Sequence, residues 1–467
     1  MRERLGNRDR WLAAAAAALL AACGDTLVDH DGGDLLLPPG GSQCGAGQVA
    51  CLVGGASTCV AEDADHCGSQ CAVCPAAPAN AFRVCAGGGC DFECSPGLLR
   101  CGSGCCTAAS VALGAAHTCA VTSGGGVRCW GSNDAGQLGA GLAAAQSPLP
   151  VDVAGLSGVI AVSAGSQHTC AVAAGAVHCW GANAFGQLGD GTSTDRGTPV
   201  AVAGLAGVTA VAAGTRHTCA LTSGGAVHCW GDNASGQLGT GGTPLQSSTP
   251  LAIPPANLSG ATAVAAGGFH ACALTGGTAR CWGANANGQV GKGALSTAEP
   301  SPIAIAGALP GSVLAVAAGA GHTVAAVGPA GSESLWGWGN DTQMQLGIKT
   351  LGTYPTPTQE DNVSTKPAAV AAGRAHSCAL KADVAGALKC FGENAVGQLG
   401  TALATDKNDV AFAGATAGPV KVAAGGDHSC AILGDGTLWC WGANGRGQVG
   451  DGSVSAFRPD PTRVSGR

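Results

Sequence analysis

The stretch that decides the fold is His217-Thr-Cys-Ala-Leu221, followed by Ala226-Val-His-Cys-Trp-Gly231 and Gln237-Leu-Gly239. The pattern of His-Thr/Ser-Cys-Ala, Cys-Trp-Gly and Gly-Gln-Leu-Gly occurs seven times, with small departures, between His117 and Gly450. At the first cysteine position, consecutive copies are 51, 49, 53, 52, 54 and 52 residues apart. A period this regular indicates one supersecondary unit stacked on itself.

Each repeat contains the signals of four short strands. Around the third copy, the apolar runs 198–203 and 208–213 precede 217–221 and 226–231, and Ser223-Gly-Gly between the last two is typical of a hairpin. Four strands in about 52 residues is the content of one propeller blade. The sequence therefore predicts an all-β chain whose repeats form a closed seven-bladed β-propeller, with a solenoid of small sheets as the competing geometry.

The chain also suggests how the ring closes. Pro461-Thr-Arg-Val464 matches Pro199-Val-Ala-Val202, yet no further His-Cys unit follows it. The first repeat begins at about Ser110 with no such strand before it. We therefore expect the C-terminal strand to complete the first blade.

These motifs resemble the regulator of chromosome condensation repeat family, whose units carry His-Ser/Thr-x-Ala, Trp-Gly-x-Asn and Gly-Gln-Leu-Gly. The resemblance covers residues 110–467 and implies a seven-bladed propeller. It implies less about function, because the family includes nuclear exchange factors, secreted inhibitors of hydrolases and domains used only for protein contact, and a propeller is a scaffold for unrelated functions.

The N-terminal residues predict export. A segment with four arginines precedes the apolar run 11–22, which is too short to span a bilayer but suits a signal peptide. Leu20-Ala21-Ala22-Cys23 resembles a bacterial lipobox, so residues 1–22 are predicted to be removed and Cys23 lipidated; an ordinary cleaved signal peptide is the alternative. Because Gly24 rather than Asp follows Cys23, we expect an outer-membrane or cell-surface location.

The 25 cysteines support this interpretation. Lipidation of Cys23 leaves an even number, twelve in residues 44–106 and twelve in the repeats. Both repeat positions are replaced together in the fifth copy, by Val324 and Gly337, as expected for a bonded pair. The predicted disulfides, across neighbouring strands of each hairpin, are Cys119–Cys129, Cys170–Cys179, Cys219–Cys229, Cys272–Cys281, Cys378–Cys390 and Cys430–Cys440.

Residues 44–106 are predicted to form a separate module held by disulfides, since twelve cysteines and few large apolar residues cannot build an ordinary core. Their connectivity is not readable from the sequence, and export disfavours zinc binding at Cys67, Cys71 and Cys74. The predicted domains are thus the signal peptide 1–22, a lipidated N-terminus and flexible tether 23–43, the module 44–106 and the propeller 107–467.

Composition and motifs restrict the function. The formal net charge of −7 becomes −9 without residues 1–22, because four positive and two negative charges leave, so nucleic acid is a poor partner. No cofactor-binding or hydrolase motif is found. The histidine of each repeat is expected to be buried and bonded to backbone groups, with an axial metal ring as the less favoured alternative. We expect a non-enzymatic, lipid-anchored module that binds a protein or a surface polysaccharide; a polysaccharide lyase or hydrolase is the rival hypothesis.

A specific binding site is expected where the repeats stop matching. The fifth copy lacks both cysteines and has Asp341 for Asn and Met344 for Gly, and the fifth and sixth copies have longer hairpins. Neutral drift in a tolerant blade is the alternative. The side chains predicted to form a partner-binding surface are Glu333, Tyr354, Glu360, Asp361, Lys381 and Asp383.

Overall fold

The computed structural model describes residues 48–53, 56–61, 66–67, 72–73, 77–86, 89–101, 103–329, 332–361, 366–381, 387–402 and 406–466. Within these ranges every regular element is a strand, and no helix long and apolar enough to cross a membrane is found. The signal peptide, Cys23 and the tether lie outside the described residues. The strands before the propeller are Gln48–Val53, Ala56–Ala61, His66–Cys67, Ala72–Val73, Ala81–Ala86, Gly89–Cys94, Leu99–Cys101 and Gly104–Cys106.

The repeats form seven four-stranded antiparallel sheets, which confirms the predicted fold class. From inner to outer strand, the first four blades are Ala108–Leu113, His117–Thr122, Val127–Ser132, Gln146–Asp152; Val159–Ala164, His168–Ala173, Ala176–Gly181, Arg196–Ala201; Val208–Ala213, His217–Thr222, Val227–Asp232, Gln246–Ala252; and Ala261–Ala266, His270–Thr275, Thr278–Ala284, Ala298–Ala304. The last three are Val313–Ala318, His322–Val327, Ser334–Asn340, Thr353–Gln359; Pro367–Ala372, His376–Lys381, Leu388–Gly392, Lys407–Val410; and Pro419–Ala424, His428–Leu433, Leu438–Ala443, Phe457–Arg463.

The predicted role of the C-terminal strand is wrong. Phe457–Arg463 pairs with Leu438–Ala443, so it completes the seventh blade, and the first blade is complete with its own four strands. In six blades the repeated Asn holds the loop that leads to the outer strand, and blade five has Asp341 at this position. The amide of Asn133, for example, donates to the carbonyls of Leu142 and Ala144 at 3.2 and 2.8 Å, which folds the following loop back along the blade.

The compact unit that contains the propeller also includes Pro96–Cys101. Leu99 is fully buried in a core cluster of blades seven and one. The Gly97 N–H donates to the Val464 carbonyl, and the Leu438 N–H donates to the Gly97 carbonyl, both at 2.8 Å. These contacts place the start of this unit before residue 107, the boundary expected from the sequence.

A histidine–hydroxyl pair joins neighbouring blades and also closes the ring. His117 Nε2 lies 2.9 Å from the Thr169 hydroxyl, which donates to the Gln137 carbonyl at 3.1 Å. Because the hydroxyl proton is used in this way, the imidazole must donate from Nε2. The histidine partners are therefore hydroxyls of the next blade rather than the expected backbone groups. Equivalent pairs, 2.8–2.9 Å long, are His168–Thr218, His270–Thr323, His322–Ser377, His376–Ser429 and, between blades seven and one, His428–Thr118.

The joint between blades three and four lacks this bond because Ala271 replaces the hydroxyl residue, leaving His217 Nε2 buried without a partner. Restoring a hydroxyl should remove the cost of that unsatisfied donor. We expect Ala271→Thr to raise the free energy of unfolding by about 1 kcal/mol in chemical denaturation. Ala271→Val, which has the same shape without the hydroxyl, is the matched control, and a valine variant as stable as the threonine variant would contradict the prediction.

The tryptophan and the last glycine of each motif also belong to the joints. Trp180 Nε1–H donates to the Gln137 carbonyl of the preceding blade at 2.8 Å. A Cβ on Gly139, whose φ is 70°, would lie 2.7 Å from Trp180 Nε1, so only glycine fits beneath the indole. The consensus residues are thus used in holding the ring together.

The structure bonds the same six repeat cysteine pairs that the sequence paired. Their Cα atoms are 4.0–4.1 Å apart, and all twelve cysteines are fully buried. Two further bridges are described before the propeller, Cys94–Cys105 and Cys101–Cys106. In blade five the buried Leu346 side chain comes within 2.9 Å of a Cβ built on Gly337, so an apolar contact occupies the place of the bridge.

Candidate functional site

Two kinds of loop form one end of the propeller, which we call the loop face. The first kind links the inner strand to the second strand and contains the two residues before each repeated histidine. The second kind is the turn after the third strand. The loop ranges are 114–116, 165–167, 214–216, 267–269, 319–321, 373–375 and 425–427; the turn ranges are 133–138, 183–188, 233–238, 285–290, 341–346, 394–399 and 444–449.

At the centre of the loop face lies a depression of about 510 Å³. Its wall consists of the inner strands of all seven blades, which contribute almost only Val, Ala and Gly. The polar side chains in the lining are the hydroxyls of Ser163, Ser166 and Thr215 and, at one edge, the exposed Arg374. The depression therefore offers a small-residue surface for apolar groups and little chemistry of its own.

A second cavity, of about 400 Å³, lies on the loop face across blades four to six. Its walls include the side chains of Asn287, Asn340, Gln343, Arg374 and Glu393. Gly321 keeps it open, since a Cβ there would come within 3.1 Å of Asn287 Nδ2. Amide side chains of blades four and five thus meet charged side chains of blade six, which suits a polar ligand.

Charged side chains of the loop face are paired within blade six and across two joints between blades. Arg374 lies 2.6 Å from Glu393 and 2.8 Å from Asp427. The two carboxylates, which accept hydrogen bonds from the guanidinium, raise the pKa of Arg374 against the opposing effect of burial. Arg446 of blade seven pairs with Asp134 of blade one at 3.3 Å.

The prediction that Glu360 contacts a partner is wrong. It is only 5% exposed, and its carboxylate lies 3.2 Å from Lys389 Nζ of blade six, which is 4% exposed. Glu360 occupies the place of buried residues such as Val153 and Val202, because its N–H makes the same bond to the third strand. It is a structural ion pair between blades, so it does not offer a carboxylate to a partner.

The other predicted contact residues are spread over blades five and six. Tyr354 is half-buried and its hydroxyl donates to the Thr350 carbonyl at 2.6 Å, while the exposed Asp361 accepts from the Lys349 N–H at 2.5 Å. Lys381 pairs with Asp409 at 2.8 Å, and Glu333 is half-buried. Asp383 lies outside the described residues. As a partner-binding set these positions remain a prediction, without Glu360.

The buried pair should be far more important for stability than the exposed one. We expect Lys389→Met to lower the free energy of unfolding by about 3–5 kcal/mol, because it leaves the Glu360 carboxylate buried and unpaired. The double variant Glu360→Leu with Lys389→Met should recover most of the loss. Lys381→Met is the control at a partly exposed pair and should cost less than about 1 kcal/mol. Equal losses for the two lysine variants in denaturant titrations would refute this assignment.

Asp341 is the other unusual carboxylate of blade five. It replaces the turn Asn, is fully buried, and accepts a hydrogen bond from the Leu346 N–H at 2.7 Å through Oδ1, while Oδ2 has no partner. Burial, followed by the charge of Asp361, raises the pKa of Asp341 to about 7 despite the bond from Leu346. The side chain therefore exchanges a proton near neutral pH without facing the cavity.

The repeated histidines offer no metal site in the described part of the chain. Burial lowers the pKa to about 4 for His117 and His217 and to about 3 for the other five. Their Nε2 atoms are occupied by the inter-blade bonds at six joints. Among the described residues, no group of three or more His, Cys, Asp or Glu side chains is arranged to hold a metal ion.

Family models match most of the propeller. Residues 96–325 match an RCC1-like domain, and residues 332–380, 368–398 and 420–448 match the regulator of chromosome condensation (RCC1) repeat. Together with the seven blades, these matches show that the chain carries RCC1-like repeat domains.

Curated relatives share only part of their length with this chain. The ultraviolet-B receptor UVR8 of Arabidopsis thaliana is 32% identical over 209 residues, which are 43% of this chain and 46% of the receptor. The probable E3 ubiquitin-protein ligase HERC4 of Homo sapiens is 30% identical over 208 residues, which are 44% of this chain and 19% of the ligase. The chain therefore spans less than half the length of these relatives.

Solved structures agree with the fold. Human WBSCR16 aligns with a TM-score of 0.64 at 22% identity, over 73% of this chain and 94% of that chain. Prp20p from Saccharomyces cerevisiae aligns with a TM-score of 0.60 at 24% identity, over 69% and 81%. Identities this low show the shared fold alone.

The residues that distinguish the loop face were not among the predicted site residues. The two residues between the Gly and the His of each first loop differ in every blade: Ala115-Ala116, Ser166-Gln167, Thr215-Arg216, Gly268-Phe269, Ala320-Gly321, Arg374-Ala375 and Gly426-Asp427. The signal was present as variable positions between invariant neighbours. Only the structure shows that these positions lie together on the loop face.

Proposed function

We propose that this protein is a non-enzymatic protein-binding or scaffold propeller that presents its loop face to a partner outside the cytoplasm, anchored by lipid at Cys23. The proposal rests on one observation: within each repeat, the consensus residues and the variable residues occupy different places. His, Thr/Ser, Trp and the consensus Gln carbonyls are buried and bonded between blades, whereas the residues that differ between blades gather on the loop face.

The comparisons support the coarser part of this proposal. The match to HERC4 covers only 19% of the ligase. The name of that protein therefore assigns no ligase activity to this propeller. Prp20p, which shares the fold, is known for binding Gsp1p and histones, so the architecture is compatible with protein recognition. The anchoring and the location rest on the sequence of residues 1–24.

Site-specific photo-crosslinking in the producing cells would test which face is used. A photoreactive phenylalanine at the exposed Gln343, on the loop face, should capture a partner. The same residue at the exposed Gly224, in a hairpin at the opposite end, serves as the matched control and should capture none. Capture from position 224 alone, or from neither position, would refute the proposed use of the loop face.

The anchor has its own test. Cys23→Ser should leave an unprocessed precursor that takes up no labelled fatty acid, whereas the native chain should be labelled and found in the membrane fraction. Normal processing and membrane attachment of the Cys23→Ser variant would exclude lipidation at this residue and leave the binding proposal unaffected.

A further inference from the structure

One arginine of the loop face is not neutralised. Arg216 is exposed, and among the described residues no carboxylate lies within ion-pair distance of it. Arg374 and Arg446, the other exposed arginines in the loops and turns of this face, are both paired with carboxylates. Arg216 is therefore the exposed arginine in the described loops and turns of this face that is left unpaired, which makes it a specific binding group rather than part of a general basic surface.

The guanidinium of Arg216 is held in place by an aromatic ring. Its central carbon lies 4.5 Å from the ring centroid of Phe185, which belongs to the turn of the preceding blade. The position of Phe185 is fixed in turn, because its N–H donates to Gln187 Oε1 at 2.9 Å. Stacking of this kind orients the planar guanidinium without using its N–H donors, which remain free for a bidentate carboxylate.

Apolar surface lies on both sides of the arginine. Phe269 has the same loop position in blade four that Arg216 has in blade three, and its ring is half-buried. The small-residue depression begins beside Thr215 and Gly268. Aromatic and arginine side chains together are typical of binding hot spots. We call Phe185, Arg216 and Phe269 the blade-three patch.

We infer that the blade-three patch binds an extended peptide segment of a partner protein in which a carboxylate stands beside an apolar side chain. The carboxylate pairs with Arg216, and the apolar side chain lies against Phe269 or enters the depression. This inference rests on the proposed protein-binding function and names the chemistry of the partner.

The overall charge decides how acidic the partner segment is. The formal net charge is −7 for the whole sequence and −9 without residues 1–22, so a polyacidic segment is repelled at long range while gaining only one guanidinium. A single carboxylate takes the full local interaction with little of that repulsion. The apolar neighbours also favour a peptide over an acidic polysaccharide, which has no apolar side chain to bury.

The experiment uses the folded protein and a displayed library of random twelve-residue peptides. Enriched sequences should contain Asp or Glu next to a large apolar residue. The binding of a selected peptide is then measured by fluorescence anisotropy. Arg216→Ala should weaken it at least tenfold, Arg216→Lys about threefold, and replacement of the peptide carboxylate by its amide should match the loss seen with Arg216→Ala.

Arg446→Ala is the matched control, since this arginine is exposed on the same face but paired with Asp134, and it should change binding less than twofold. Enrichment of no sequence, enrichment of basic sequences, or equal effects of the two alanine variants would overturn the inference. Arg216-dependent binding of a galacturonic acid hexamer in place of peptides would overturn it in favour of a polysaccharide. A partner still captured from position 343 in any of these cases would leave the proposed function standing.

Discussion

Lowering the pH from 8 to 5 is expected to unfold the propeller although its disulfides stay intact. Burial, assisted at several joints by neighbouring histidines, lowers the pKa of the seven repeated imidazoles to about 3 or 4. The unfolded chain, with ordinary histidines near 6.5, therefore binds more protons between pH 6.5 and 4. The free energy of unfolding falls as the pH falls through this window.

The size of the effect follows from the number of blades. Each histidine loses about 2 kcal/mol of stabilisation between pH 8 and 5, and seven together lose on the order of 14 kcal/mol, which is comparable with the entire stability of many domains. Asp341 acts in the opposite direction, because its pKa is raised to about 7, but it is one group against seven. The histidines therefore decide the sign.

Denaturant titrations followed by tryptophan fluorescence at several pH values would measure the slope of the free energy of unfolding against pH. His217→Gln should reduce the slope by about one proton in seven, since His217 is buried and its Nε2 makes no bond. A midpoint that does not move between pH 8 and 5 would show that the buried imidazoles are not neutral in the folded ring.

Reduction of the six blade disulfides is expected to destabilise the propeller by a similar amount. Each bridge closes a loop of about ten residues, and the chain-entropy model gives roughly 2.5–3 kcal/mol for each, or on the order of 15 kcal/mol for six. The bridges are fully buried, so a reductant reaches them only after local opening. Denaturant unfolding with and without reductant should therefore show a large fall in midpoint.

Blade five is the internal control for this prediction. It has no bridge, and its second and third strands are held by the apolar cluster that includes Val324, Leu335 and Leu346. Under oxidising conditions its amides in 322–327 and 335–340 should exchange faster with solvent than the matching amides of other blades. In protein that is reduced after denaturation and then refolded, exchange should speed most in the six bridged blades, so that the difference between them and blade five becomes smaller. Peptide mapping that found inter-blade pairs would contradict the basis of the prediction.

The repeat made the fold predictable because the same sequence signals occur in every blade. The hairpin signals, the paired cysteines and the period of the motif each follow from local sequence, so seven copies correct for departures in any one of them. The strand that closes the last blade was assigned wrongly because pairing depends on where a loop returns. That return is set by hydrogen bonds such as those from Asn133 to residues 142 and 144, which lie nine and eleven residues further on.

The candidate site was less predictable, for a physical reason that Glu360 and Arg216 illustrate. Glu360 looks like a surface charge in a polar loop, but it is paired with Lys389 of the next blade and buried. Arg216 looks like one variable residue between invariant neighbours, yet it stacks on Phe185 of the preceding blade. Both roles depend on a side chain of another repeat, and sequence separation alone does not say which face of which blade that side chain occupies.

The sequence by itself determined the number of blades, the hairpin of each repeat and the cysteine pairs, because these depend on residues a few positions apart in one repeat. Only the tertiary structure decided which departures from the repeat are buried at a joint and which are exposed together on the loop face. The ring places side chains from neighbouring blades in contact across about fifty residues of chain, as in the bond from His117 to Thr169. Burial and charge pairing are properties of those contacts.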